Sequence, residues 1–151
     1  MSGFDLARFM NRGSWGHGGR LGITLHAVGD DWVEMALPYA EDLIGDADSG
    51  VLASGPIIAL MDMTTSLAVW KRVDAFVPHA TLDLRIDYLR PATPGRTVIG
   101  RAECLRVTRS IAFTRGLAHD GDPADPIANV SATFMLPEGA YPRSSDRGAE
   151  Q

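Results

Sequence analysis

Val51-Leu-Ala-Ser-Gly-Pro-Ile-Ile-Ala-Leu-Met-Asp-Met-Thr-Thr-Ser-Leu-Ala-Val-Trp70 reads as one long helix around which the rest of the chain is organised. Ser54 or Gly55 can cap it, and Pro56 suits its first turn, where a missing N–H costs nothing. From Ile57 to Trp70 no Gly or Pro interrupts it, and Lys71 and Arg72 follow with charges suited to a helix C-terminus. A helix over residues 55–72 spans roughly 27 Å, enough to cross a small domain. Its faces are mostly apolar or small, the pattern of a helix enclosed by protein. Asp62 is the one charge between Ile57 and Trp70. It stands too far along to be a cap, and Thr65 and Ser66 at i+3 and i+4 make a polar stripe beside it. A carboxylate so placed must be hydrogen-bonded, shared across an interface or used in chemistry. Residue type alone leaves those readings open.

On either side of this helix the pattern changes period. Upstream, residues 4–12 form a short amphipathic helix with Phe4, Leu6, Phe9 and Met10 as its apolar side, stopped by Gly13. Residues 12–19 read as a flexible loop with His17 exposed. Alternating Leu21, Ile23 and Leu25, then Val33, Met35 and Leu37, predict a β-hairpin over 20–38 turning at Gly29-Asp-Asp31. Residues 39–50 read as an acidic loop leading into the helix. Downstream, Leu82, Leu84, Ile86 and Tyr88 alternate with Asp83, Arg85 and Asp87 in the clearest strand of the chain. Further strands are predicted at about 96–107, 110–119 and 126–136, the last two joined by the turn formers of 120–126. One apolar helix and one antiparallel sheet must bury each other, so the fold class is α+β with the sheet wrapped around the helix. A single domain over 1–136 is expected, with a polar, disordered tail over 137–151.

Composition narrows the function. A chain of 151 residues is long enough for a real core. A net charge of −5 argues against a nucleic-acid binder. The single Cys104 excludes an internal disulfide framework and fits a reducing compartment; no start signal or long apolar run appears, so a cytoplasmic protein is expected. His17, His26, His79 and His119 show no metal-ligand spacing, and neither a G-x-S-x-G elbow nor a P-loop is present.

Two stretches carry a resemblance. Gly50-Val-Leu-Ala-Ser-Gly-Pro-Ile-Ile-Ala-Leu-Met-Asp62 resembles the G-[VL]-x-HGG-x4-L-x-D start of the central helix in hotdog-fold acyl-CoA thioesterases of the phenylacetate-pathway (PaaI-like) type. Thr81-Leu-Asp-Leu-Arg-Ile-Asp-Tyr-Leu-Arg-Pro-Ala92, followed by Gly95, resembles the same family's T-x-D-L-x-[IV]-x-Y-L-R-P-A-x-x-G strand. The motif's His and first Gly are Ala53 and Ser54 here, and its upstream Asn falls at Ala47. Gly16-His-Gly-Gly19 spells HGG too, but no helix is expected to follow it, since Leu21 reads as the start of a strand.

The resemblance implies a hotdog fold, an acyl-CoA substrate whose coenzyme A is part of the substrate and not a cofactor, and a homodimer or homotetramer with its site between subunits. It assigns Asp62 as general base or nucleophile, Gly55 as an oxyanion donor at the helix N-terminus, and Thr81 as the hydroxyl that orients water or carboxylate; a β-branched residue opening a strand is the plainer account of Thr81. Ser54, Thr65 and Ser66 are further candidates to line the site. Seven of the fourteen basic residues lie between 83 and 115, and Arg90 and Arg109, nearest turns, are candidates for coenzyme A phosphates. Outward arginines that keep a sheet soluble explain the same excess. The functional expectation is thioester hydrolysis; the alternative is an acyl-CoA binder without turnover, since Ala53 and Ser54 replace residues of the motif.

Overall fold

A computed structural model describes residues 3–13 and 16–140. Two short helices, α1 (Leu6–Met10) and α2 (Gly16–Arg20), precede β1 (Thr24–Val28) and β2 (Trp32–Leu37). A small hairpin, β3 (Ile44–Asp46) and β4 (Val51–Leu52), leads into α3 (Ser54–Val73). Four strands follow: β5 (Ala80–Tyr88), β6 (Val98–Val107), β7 (Ile111–His119) and β8 (Ala128–Met135). Six strands pair antiparallel in the order β1-β2-β6-β7-β8-β5, with α3 across one face. No helix among the described residues is long and apolar enough to cross a membrane.

The helix forms where the sequence places it, with Ala53 and not Ser54 or Gly55 at its N-cap; no side chain caps it. Lys71 and Arg72 end it before Asp74, which adopts a left-handed φ of 56°. Asp74 is held there from outside, because its carboxylate accepts the Phe4 N–H at 2.8 Å.

Small residues on the sheet let α3 lie close. A Cβ on Gly100 would come within 3.1 Å of Met61, Thr64 and Leu60 side chains, and one on Gly116 within 2.4 Å of the Arg101 carbonyl and 3.2 Å of Met61. Ala102 and Ala118, paired with those glycines, complete a low floor. Leu60 and Met61 are wholly buried on it, among Val33, Met35, Leu37 and Val98. Full burial of side chains of this kind contributes about 1.5–3 kcal/mol each.

Three expectations are corrected. Residues 16–20 are helical, not loop: α2 packs on α3, with Gly18 against Met63 closer than a Cβ would permit unless Met63 moved. The first strand begins at Thr24, because residues 21–22 turn out of α2. The acidic stretch before α3 is a hairpin: Ile44 pairs with Leu52, Tyr39 Oη donates to the Gly50 carbonyl at 2.8 Å, and Gly50 has φ 72°. Of the tail, residues 137–140 close a turn, while 141–151 lie outside the described residues.

A fourth correction concerns register. Strict alternation puts Leu82 on the same face as Leu84, Ile86 and Tyr88. Instead a bulge falls between Thr81 and Asp83, so Thr81 pairs with buried Phe134 and Leu84 with buried Ala132. Thr81 takes the helix-facing place, and Leu82 is left 51% exposed. One extra residue in a strand exchanges the faces of everything beyond it.

The floor predicts its own test. Gly116→Ala should lower stability by about 1–3 kcal/mol through overpacking against the Arg101 carbonyl. Urea unfolding should show a lower midpoint with unchanged slope; a midpoint equal to that of the parent would show that the helix does not need this clearance.

Candidate active site

On α3 the half-exposed positions 59, 62, 63, 66 and 70 face away from the sheet. Asp62 is therefore not enclosed, as an all-apolar helix suggested, but stands on this open face. Its Oδ1 accepts a hydrogen bond from Thr81 Oγ1 at 2.8 Å. The β5 bulge makes that bond, since it turns Thr81 inward at the height of Asp62.

The polar stripe divides. Thr65 is wholly buried, and its hydroxyl donates to the Met61 carbonyl at 2.7 Å and the Asp62 carbonyl at 3.1 Å. Like Thr64, whose hydroxyl donates to the Leu60 carbonyl at 2.6 Å, it satisfies its hydroxyl within α3 and is buried away from the open face. Ser66 stays on the open face with Asp62, but its Oγ lies 2.7 Å from Nε2 of His79. His79 was not among the candidates. Its Nδ1 lies 2.8 Å from the Val77 carbonyl, which also accepts the Trp70 indole N–H at 2.7 Å. A carbonyl only accepts, so Nδ1 carries the proton and Nε2 accepts from Ser66. Trp70 and Phe134 meet the imidazole edge to face, at 5.7 and 5.1 Å between ring centres. Burial lowers the His79 pKa below its ordinary value, opposed by the Val77 hydrogen bond and the Asp62 charge.

At the other end of the same face stands the N-terminus of α3. Ser54 and Gly55 are exposed, and their N–H groups have no carbonyl four residues back within the helix. Pro56 has no N–H to offer. The Ala53 N–H is taken by the Leu43 carbonyl at 2.9 Å, and a Cβ on Gly45 would lie 2.8 Å from Ala53 Cα, so the small hairpin fixes this end. A Cβ on Gly55 would meet nothing within 4 Å, which leaves its backbone open to an incoming group. Tyr88, also not among the candidates, reaches over from the end of β5, its Oη 3.3 Å from the Ser54 carbonyl. Its place in the Y-L-R-P run was the available signal.

The two arginines expected to meet phosphates lie apart. Arg90 sits near the start of α3, but its guanidinium grips Asp120 at 2.7 and 3.1 Å and also donates to the Asp125 and Pro91 carbonyls. That pairing and the Thr93 N–H hold the Asp120 carboxyl well below its usual range. The neighbouring cleft of about 490 Å³ carries Arg90 and Arg96 against Asp120, Asp122 and Asp125, so it is no cationic cradle. Arg109 lies in the β6–β7 turn, at the far end of the sheet, paired with Glu138. The Cys104 thiol is pushed up to about 11 by burial, which removes it as a nucleophile near neutral pH.

Residues 49–127, just over half of the chain, match the family model of the Thioesterase superfamily. A crystal structure of a Pseudomonas aeruginosa protein is 42% identical, with a TM-score of 0.76 over 86% of this chain and 95% of that one. A thioesterase from Haemophilus influenzae superposes with a TM-score of 0.78 at 23% identity, over 91% and 93% of the two chains. A mutant of the phenylacetic acid degradation protein PaaI from Thermus thermophilus does so at 0.66 and 24%, over 78% and 96%. At those identities the last two likenesses are of fold. A stretch of 91 residues is 32% identical to a Haemophilus influenzae protein whose name carries only a provisional esterase assignment; it spans 60% of this chain and 64% of that protein's length. The matched span holds α3 with Asp62, β5 with Thr81, and β6 and β7, and the chain belongs to the thioesterase superfamily, with its hotdog fold.

Proposed function

We propose that the protein hydrolyses acyl-CoA thioesters, with aliphatic or aryl acyl groups, using Asp62 and the N-terminus of α3. The observation that carries this reading is the Thr81–Asp62 hydrogen bond on the open face of the helix. Thr81 occupies one carboxylate oxygen and fixes its plane, leaving the other for a water molecule. As general base, Asp62 takes a proton while the water oxygen attacks the thioester carbon. The carbonyl oxygen becomes an oxyanion, which free N–H groups at a helix N-terminus stabilise. Collapse breaks the C–S bond, and the departing thiolate takes the proton from Asp62. Direct attack by the carboxylate, through an anhydride that water then opens, uses the same groups.

Distance makes the site composite. Gly55 and Asp62 are seven residues apart, roughly 10 Å along a helix. One thioester carbon cannot sit about 3 Å from both. A second subunit must bring its own helix N-terminus to this Asp62. The fold offers the means: β5 is an edge strand of nine residues, paired with β8 on one side, and exposed Leu82, Tyr88 and Ile58 surround the site. Such an edge calls for a partner. The assembly we propose is a homodimer across β5, which doubles into a tetramer.

Asp62→Asn should cut thiol release from a panel of aliphatic and aryl acyl-CoAs by about 10²–10⁴-fold. Equal rates in variant and parent would remove Asp62 from the chemistry, and saturable binding without release by the parent would favour the non-catalytic binder. Gly55→Ala should keep the melting temperature of the parent or raise it, because nothing in the chain meets the added methyl, yet slow turnover roughly tenfold by crowding the oxyanion. Unchanged turnover would move the oxyanion site elsewhere. Light scattering at micromolar concentration should give at least twice the chain mass; a fully active monomer would contradict the composite site.

A further inference from the structure

Two rungs join α3 to the start of β5. Asp62 meets Thr81 at 2.8 Å, and Ser66 meets His79 at 2.7 Å. Four helical residues advance roughly 6 Å and two extended residues roughly 6.6 Å, so the spacing of the rungs matches on both sides. We propose that His79 is a positioning residue of the Asp62 site: its neutral imidazole holds the Ser66 hydroxyl, and this bond keeps the start of β5, and so Thr81, in register with Asp62. The kinetic part of this inference rests on the thioesterase reading above.

Three observations support it. The tautomer is fixed from behind by the Val77 carbonyl, so Nε2 presents a lone pair to Ser66. Trp70 and Phe134 clamp the ring from two sides and leave it little freedom to turn. Just beyond His79 the strand bulges, and a bulged start needs a second anchor if Thr81 is to face one way. Asp62 is the charged group that acts on His79; Ser66 and Trp70 from α3, Phe134 from β8 and Val77 from the connecting segment carry no charge. Protonation would turn Nε2 into a donor, free the Ser66 proton and place a cation beside Asp62.

The test has two arms. In nitrogen–proton NMR of the parent, His79 should carry its proton on Nδ1 and titrate below the ordinary imidazole value of about 6.5. Asp62→Asn should move that midpoint lower, since the lost carboxylate had favoured the imidazolium. The Thr81 amide and methyl signals should shift in His79→Phe and in Ser66→Ala and return in His79→Gln, whose amide oxygen accepts the Ser66 proton without titrating. In kinetics, His79→Phe and Ser66→Ala should lower kcat roughly tenfold with KM within about twofold, while His79→Gln recovers kcat to within about threefold and loses the fall in rate that imidazolium causes at acid pH. Thr81 signals unmoved in both His79→Phe and Ser66→Ala, or a proton found on Nε2, would overturn the inference whatever the activity. A fully active Asp62→Asn would overturn the thioesterase role of Asp62 alone and leave the NMR arm standing.

Discussion

How near α3 can lie to the sheet is the constraint on which the other contacts depend. Gly100 and Gly116 lack the side chains that would hold the helix off, and their neighbours in the floor are alanines. Met61 and Thr64 reach backbone level, so one face of the helix is consumed by packing and the opposite face is lifted clear. Asp62 and Ser66 lie on that opposite face because Leu60, Met61, Thr64 and Thr65 lie on the first. With larger residues in the floor the helix would ride higher, and a hydroxyl on β5 would no longer reach Asp62.

Local pattern carried much of this. A mostly apolar stretch with no Gly or Pro between Pro56 and Lys71 reads as a helix, and period-two alternation found β2 and β6 to β8 to within a few residues. Asp62 stood out as the lone charge in that run, and Thr81 through its resemblance to a family strand. What escaped was set at long range. Whether Thr81 or Leu82 faces the helix depends on pairing with β8, some fifty residues away in sequence, and strict alternation gives the wrong answer. Arg90 looked available because its partner Asp120 lies thirty residues on. His79 carried no motif, since a connecting segment leaves no periodicity to read.

Misleading similarity also had a physical cause. Residues 16–19 repeat the letters of a helix-start motif and do begin a helix, but one of five residues packed through Gly18 against Met63. The true start of α3 lacks the motif's His, and its N-cap Ala53 makes no side-chain bond. Backbone geometry does the work there: the β3–β4 hairpin grips Ala53 and leaves the next two N–H groups open.

The bulge at Leu82 has a consequence for how such a strand changes over generations. Thr81 faces Phe134 and Leu84 faces Ala132, with only Asp83 needed between them opposite Thr133. Leu82 is therefore surplus to the ladder. Loss of its codon would leave a smooth strand that still offers Thr81 to the helix. The opposite change, smoothing the strand while keeping every residue, would bring Leu82 opposite Phe134 and turn Thr81 to solvent. Chain length and strand shape are thus coupled at this point: either alone is dangerous to the Thr81–Asp62 contact, and both together are harmless. Descendants of this chain can shorten here by one residue without losing that contact, whereas a deletion that left the bulge in place would take it away.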